Sequence, residues 1–462
     1  MKIDILIAEI GSTTTIVNAF DGIYGDNPVF VGYGASNTSV ALGDVQIGLN
    51  SAIDDLRQKL GTQTLEYGQF LASSSAAGGL RMTAHGLVYE MTAKAGKEAA
   101  LGAGANIQLT TAGKLTHEDL IEIEATNPNL ILLAGGTDYG DKECTLFNAK
   151  ALCNANLTAP VIYCGNIQNQ SAVKRMFAEA GRELYITENV YPKLDAINIE
   201  PARMIIHQAF EEHITKAPGM AQIRNLVDGA IMPTPGAVME CANLLNKLVG
   251  DLMVIDIGGA TTDIHSVTAG SDEITMLQTN PEPFAKRTVE GDLGMYVNAR
   301  NLAEMVGFDK LRREIGMDIE PIFDNYHPIP QTSEQLTLTH RLAYHAATMA
   351  IARHAGVLRH TYGPRGRQTH AEGKDLTAVR HIVATGGALT RLPNRNKIME
   401  EICNINNAGA MLFPKSRQLQ ILEDSHYIMA SLGVLAKVQP EASAKLLQKY
   451  VIGQSENMEL NA

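Results

Sequence analysis

At 462 residues the chain exceeds the roughly 100–200 residues of an ordinary domain, which argues against a single compact core and points to about three domains, or two with a large insertion. Asp and Glu number 50 against 38 Lys and Arg, a net charge of −12, so the surface repels a phosphate backbone and nucleic acid is not an expected partner. Hydrophobic residues reach 45% with no Trp and 5% aromatics, so the cores must be built from Ala, Ile, Leu, Val and the 18 Met.

The chain opens on MKIDILIAEIG, whose apolar run is interrupted by Asp4 and Glu9. No stretch of the sequence approaches the ~20 apolar residues that cross a bilayer, so a cytoplasmic location with no membrane partner is expected. IDILIAEI reads as a strand, Gly11-Ser12-Thr13-Thr14 as a turn, and Ile16 to Phe20 as a second, β-branched strand, which together predict a hairpin. Apolar Val45, Leu49, Ala52, Ile53, Leu56 and Leu60 then recur at helical spacing. After a small-residue segment from Phe70 and an Ala-rich helical stretch from Leu87 to Leu101, short apolar runs begin at Leu130, Pro160 and Glu183. Each precedes a helix-compatible segment, the alternation of a parallel sheet.

LMVIDIGGATTDIHSV from Leu252 repeats the opening pattern. Helices are expected around Phe284 to Glu304 and Ser333 to His360, then a polar stretch to Val379 and a strand from His381. A last helix is expected near Asp424 to Lys437, with a frayed tail after Pro440. The thiols Cys144, Cys153, Cys164, Cys241 and Cys403 form no C-x-x-C pair and are expected to be free and buried. His340, His345, His354 and His360 share the second helical segment at spacings that do not make a metal pair. The basic stretch from Arg359 reads as a solvated loop. Three features stay open between a ligand role and a local structural one: Arg81, the AGGTDYGDKE stretch from Ala134, and Glu290 with Asp292 in EGDLG.

The internal repeat is the most informative feature. Glu9 matches Asp256, Gly11 matches Gly258 and Thr14 matches Thr261. Two hairpins, each with a carboxylate ahead of a glycine turn edged with hydroxyls, suit a polyphosphate held from two sides. Glycine lets backbone N–H groups approach phosphate oxygens, and the carboxylates can orient water around Mg²⁺. No G-x-x-x-x-G-K-[ST] is present, so the logic is not that of a P-loop.

These residues resemble the actin, Hsp70 and sugar-kinase superfamily of ATPases. IAEIGSTTT is similar to its first phosphate motif and DIGGATTD to its second, with Asp256, Gly258, Gly259, Thr261 and Asp263 on the pattern. MPTPGAVMECANLL from Met232 is similar to the connecting segment, and ATGGALTRLP from Ala384, with Gly386 and Gly387, to the adenosine motif. The chain departs from the superfamily in having Glu9 for Asp, Ala260 for the third glycine, and one extra residue before Pro393. The resemblance narrows over SSSAAGGLRMTAHGLVYEMTAKAGKEAALGAGANI, LLAGGTDYGDKE, PTPGAV, VEGDLGM and LEDSHYIMASLGVLA to the MutL or GlmL family found with glutamate mutase.

The resemblance implies an α/β, actin-like (ribonuclease H-like) pair of ATPase lobes with an inserted α/β domain. The expected division is 1–65 first part of lobe I, 66–225 insertion, 226–250 connecting segment, 251–440 lobe II and 441–462 tail. It implies ATP and Mg²⁺ held by Gly11, Ser12, Thr13, Thr14, Gly258, Gly259, Ala260, Thr261, Thr262, Gly386 and Gly387, with Glu9 and Asp256 toward the metal and Asp256, Asp263 and Glu9 catalytic. The implied function is an ATP-dependent, chaperone-like reactivating factor for an adenosylcobalamin-dependent mutase; a homodimer stays open. A small-molecule kinase of the same superfamily is the alternative, although no acceptor base can be named. A filament scaffold and an iron–sulfur electron donor fit less well, the latter for want of paired cysteines.

Overall fold

The computed structural model describes residues 1–453 apart from 12–13, 40–43, 76–79, 104, 195, 215–222, 364–365, 407–408, 410 and 416–418. The chain divides into two units, Met1–Cys241 with Ala430–Ser443, and Ala242–Met429 with Ala444–Ala462.

In the first unit the expected hairpin forms. β1 (Lys2–Ile10) and β2 (Thr14–Asp21) pair antiparallel, and β3 (Val29–Asn37) pairs antiparallel with β2. The helix Val45–Lys59 follows, its N-terminus capped by Asp44, whose carboxylate accepts from the Gln46 amide at 2.8 Å. Val45, Leu49, Ala52 and Leu56 are buried along one face, as their spacing predicts. β4 (Glu66–Ser74) then lies parallel to β1 on its other side. The first sheet therefore claims β4, and the insertion expected from residue 66 starts only after Ser74.

The insertion carries an all-parallel sheet of β5 (Arg81–Gly86), β6 (Asn106–Ala112), β7 (Leu130–Leu133), β8 (Val161–Tyr163) and β9 (Leu184–Ile186). Its order is β6-β5-β7-β8-β9, a doubly wound arrangement. β7 and β8 are buried at every residue, the reason their sequences read as continuous apolar runs. β10 (Met232–Pro233) returns to the first sheet, parallel to β4, and leads into the helix Thr234–Val249.

The second unit repeats the first sheet. β12 (Thr262–Val267) pairs antiparallel with β11 (Leu252–Ile257) on one side and with β13 (Ala285–Glu290) on the other. After an exposed hairpin of β14 (Val357–Gly363) and β15 (Gly366–Glu372), β16 (His381–Thr385) and β17 (Gln420–Glu423) extend the sheet parallel to β11. The orders β3-β2-β1-β4-β10 and β13-β12-β11-β16-β17 match strand for strand, with only the second strand of each reversed. This duplicated order is that of the actin-like, ribonuclease H-like lobe.

Some local expectations are corrected. The helix expected from Phe284 is strand β13 as far as Glu290, and helix resumes at Ala299–Val306. The long helix spans Ser333–His354 and stops before Gly356, so His360 lies on β14 in the stretch read as a loop. The last expected helix is Met429–Val438, and the segment read as frayed continues as helix Pro440–Leu447, with Leu446, Leu447 and Val451 buried. Among the described residues no helix is long and apolar enough to cross a membrane.

In the first unit one buried cluster runs from Leu6, Ile10, Val17 and Phe70 of the first sheet to Met82, Leu130, Ile162 and Ile206 of the insertion. A second cluster, with Ile131, Leu133, Val161 and Phe177, fills the other face of the inserted sheet. The core of the second unit gathers Ile255, Ile264 and Ile382 against Leu338, Leu342 and Ala346 of the long helix.

His85 on β5 is fully buried between the hydroxyls of Thr83 and Thr111, at 2.9 and 2.8 Å. Burial pushes its imidazole down from 6.5 to about 4. Between those values the unfolded chain binds a proton that the folded chain refuses, so this group withdraws stability as pH falls through that window. Urea midpoints measured from about pH 7 to about pH 4.5 should decline, and His85→Gln should decline less steeply. Equal slopes would show that His85 is not a source of the acid sensitivity.

Candidate functional site

Each sheet ends its central hairpin in the same way. The Gly11 amide donates to the Thr14 carbonyl at 3.0 Å, and the Gly258 amide to the Thr261 carbonyl at 2.9 Å. Two residues earlier stand the carboxylates, Glu9 opposite Ile16 and Ser73, and Asp256 opposite Asp263 and Thr385. Glu9 is buried and Asp256 half-buried. A Cβ at Gly11 would lie 2.7 Å from the Thr14 carbonyl oxygen, so this tight turn needs glycine. Thr38 Oγ1 donates to the Gly11 carbonyl at 2.8 Å. Ser12 and Thr13 lie outside the described residues.

The second turn is held by a strap that follows β13. The amides of Met295, Tyr296 and Val297 donate to the carbonyls of Gly258 and Gly259 at 2.9 to 3.1 Å, and Thr262 Oγ1 donates to the Leu293 carbonyl at 2.8 Å. Gly294 is pressed against the Ala260 backbone, where any side chain would collide. The turn thus spends its carbonyls on the strap, while Gly259 and Ala260 are exposed and their amides have no acceptor among the described residues. Amides without an acceptor on exposed residues beside a carboxylate suit an anion accompanied by a hard cation. Glu290 and Asp292 of EGDLG, left open by the sequence, both bind Arg353, at 2.6 Å from Nη1 to Glu290 and 2.8 and 2.9 Å to the two oxygens of Asp292.

Asp263 sits differently from Asp256. Its Oδ2 accepts from Arg287 Nη2 at 3.0 Å, and both side chains are buried. Burial pushes its carboxyl up, against the pull of the guanidinium. Neither the other Asp263 oxygen nor either ring nitrogen of His265 has a partner among the described residues. The sequence signalled the aspartate but not the arginine, which follows at a distance on β13.

Gly386 and Gly387 open the helix Gly386–Arg391 directly after β16. Gly386 has φ +82° and faces Asp256 and Ile257 so closely that a Cβ would strike the Asp256 carboxylate. Its smallness therefore serves the strand carrying Asp256, whereas Gly387 faces open space. The preceding Thr385 donates to buried Asp424 at 2.9 Å, and Asp424 also receives the amides of Ile428 and Met429 at 2.8 and 3.0 Å.

The two other features left open, AGGTDYGDKE and Arg81, lie after β7 and on β5 of the inserted sheet. In AGGTDYGDKE, Asp138 accepts from Ile167 and Asn189 at 3.0 Å each, and Asn166 ties down Tyr139, Gly140 and Asp141. Arg81 lies on β5, its amide bound to Asn129 at 2.9 Å, and its side-chain Nε is buried with no partner among the described residues. None of the five cysteines forms a disulfide; Cys153 is half-buried and the others are buried. No cluster of three His, Cys, Asp or Glu suited to a metal occurs among the described residues.

The family model described as MutL protein matches residues 5–451. Protein MutL of Clostridium tetanomorphum is 37% identical, covering 97% of this chain and 99% of that one. Among solved structures, a diol dehydratase-reactivating factor in nucleotide-free form is 9% identical with a TM-score of 0.38, covering 95% of this chain and 100% of that one. Component A of the (R)-2-hydroxyglutaryl-CoA dehydratase of Acidaminococcus fermentans is 9% identical with a TM-score of 0.31, covering 96% and 99%. At such TM-scores family membership rests on the sequence matches alone.

Removing one member of the buried pair should expose its worth. Arg287→Met strands the Asp263 carboxylate and should cost roughly 3–5 kcal/mol in chemical denaturation, most of it recovered in the Arg287→Met, Asp263→Leu double variant. A single variant as stable as the parent would mean that the pair is not held in solution.

Proposed function

The chain belongs to the MutL family, and from that premise we propose that it is an ATP-dependent, chaperone-like reactivating factor for an adenosylcobalamin-dependent mutase. Glutamate mutase is the client that the family resemblance suggests. The observation that carries the nucleotide reading is the repeated hairpin, in which a glycine-to-threonine backbone bond closes a turn two residues after a carboxylate, in lobes of one strand order.

In this reading the amides of Gly259 and Ala260 and the hydroxyl of Thr261 bind phosphate oxygens, with Gly258 shaping the turn; Thr262, expected among these contacts, is buried and its hydroxyl is committed to the Leu293 carbonyl. Glu9 and the stretch Gly11, Ser12, Thr13 and Thr14, which match that motif in sequence, are assigned the same kind of phosphate and metal-binding role. Glu9 and Asp256 offer hard carboxylate oxygens, the donor type that Mg²⁺ takes, often through water. Bound Mg²⁺ would supply charge neutralisation at the phosphates. Asp256 is the better group to orient an attacking water, because it is half-buried beside the turn whereas Asp263 is buried. Gly386 keeps the approach to Asp256 free of side chain, and Gly387 faces the open space where an adenosine would lie.

The client's difficulty is physical. A radical mutase that loses its adenosyl group retains an inert corrinoid, and a nucleotide-driven change of shape in a bound partner can loosen that site. Differential affinity of the partner for the two client states sets how far release can be driven.

Two measurements test the proposal. Asp256→Ala should lose ATP turnover by about 100-fold or more while its circular dichroism and melting stay those of the parent. Undiminished hydrolysis by that folded variant would remove Asp256 from the site. Glutamate mutase inactivated with a non-adenosylated cobalamin should regain activity on adding the protein, Mg-ATP and fresh coenzyme, and not without ATP. Phosphorylation of a small molecule with no recovery would favour a kinase instead.

A further inference from the structure

We infer that Arg353 is a positioning residue for the Gly258–Thr262 turn, acting through the Glu290–Val297 strap. The inference rests on the proposal that this turn binds ATP, and it assigns the site a support at the end of a helix that the phosphate motifs do not include. Arg353 stands in the last turn of Ser333–His354, a helix fixed in the core by Leu338, Leu342 and Ala346. Its guanidinium grips both oxygens of Asp292 and one of Glu290, a fork that an ammonium cannot reproduce. Glu290 ends β13 opposite Thr262, the residue at which the turn passes into β12. From Asp292 the chain runs directly into Leu293 to Val297, which bond the turn through four hydrogen bonds and the side-chain-free contact at Gly294.

The physical consequence is directional. Carbonyls bound to the strap hold the turn in one conformation, so its exposed amides need no reorganisation on binding, the preorganisation that lowers the cost of ligand capture. The clamp is only partly covered, with side-chain exposures of 39% for Arg353, 37% for Asp292 and 13% for Glu290. Exposed ion pairs contribute little to global stability. Loss of Arg353 should therefore loosen the turn while barely moving the melting temperature.

The test uses the full chain and Mg-ATP, with Arg353→Met, Arg353→Lys and Asp292→Asn beside the parent. The KM for ATP should rise about tenfold in Arg353→Met and in Asp292→Asn, and by an intermediate factor in Arg353→Lys, while kcat changes less than about threefold. Without nucleotide, hydrogen exchange at the amides of Met295, Tyr296 and Val297 should quicken in Arg353→Met. A parent-like KM together with parent-like exchange overturns the inference, as does a fall in kcat and melting temperature with KM unchanged. If Arg353→Met does not fold, Asp292→Asn, which keeps the side-chain shape, carries the same readouts. Failure of the parent to bind ATP would sink the nucleotide reading instead, and the exchange measurement would still decide whether Arg353 holds the strap.

Discussion

One backbone hydrogen bond, from a glycine amide to the carbonyl three residues later, closes the central hairpin of each sheet, and the rest of the candidate site follows from it. The bond fixes the register of the two strands, and a register error of one residue would turn every side chain to the opposite face. With register fixed, the carboxylate two residues before the glycine stands near the end of the first strand, beside the turn. The parallel fourth strand then brings small polar residues alongside: Ser73 next to Glu9, and Thr385 next to Asp256.

The hairpins, the parallel runs and the first amphipathic helix were legible because they depend on short-range spacing. β13 was not, since AKRTVE places Lys286 and Arg287 in the interior and so lacks the apolar alternation of a strand. Lys286 is compensated by Glu282 at 2.9 Å, and Arg287 by Asp263. The β14–β15 hairpin read as a loop for the opposite reason: most of its described side chains are exposed, so backbone pairing and not burial defines it. The close of the long helix near Gly356 was obscured because Ala347, Ala350 and Ile351 carry an apolar pattern up to it.

Within the candidate site, the motif residues were legible and their supports were not. Asp256 and Asp263 look interchangeable in DIGGATTD, yet they face each other across the hairpin and meet different surroundings. One is half-buried next to the turn, and the other is held by an arginine beneath the surface. Gly386 reads as a nucleotide contact in the sequence, but the collision its Cβ would make is with the protein's own carboxylate. Arg353, far along the chain, has no local signal at all, because its meaning lies in a contact that only the tertiary fold creates.

The buried cluster shared by the first sheet and the insertion bears on how such a chain can have been assembled and can be taken apart. Phe70 and Leu6 on one side and Leu130, Ile162 and Ile206 on the other belong to one apolar interior. The inserted sheet is therefore not a cassette on a tether. Excising it would strip the first lobe of part of its own core, and transplanting it would carry an uncovered apolar face to the new host. A change of volume on either side must be matched across that interior, so the two sides are not separable modules.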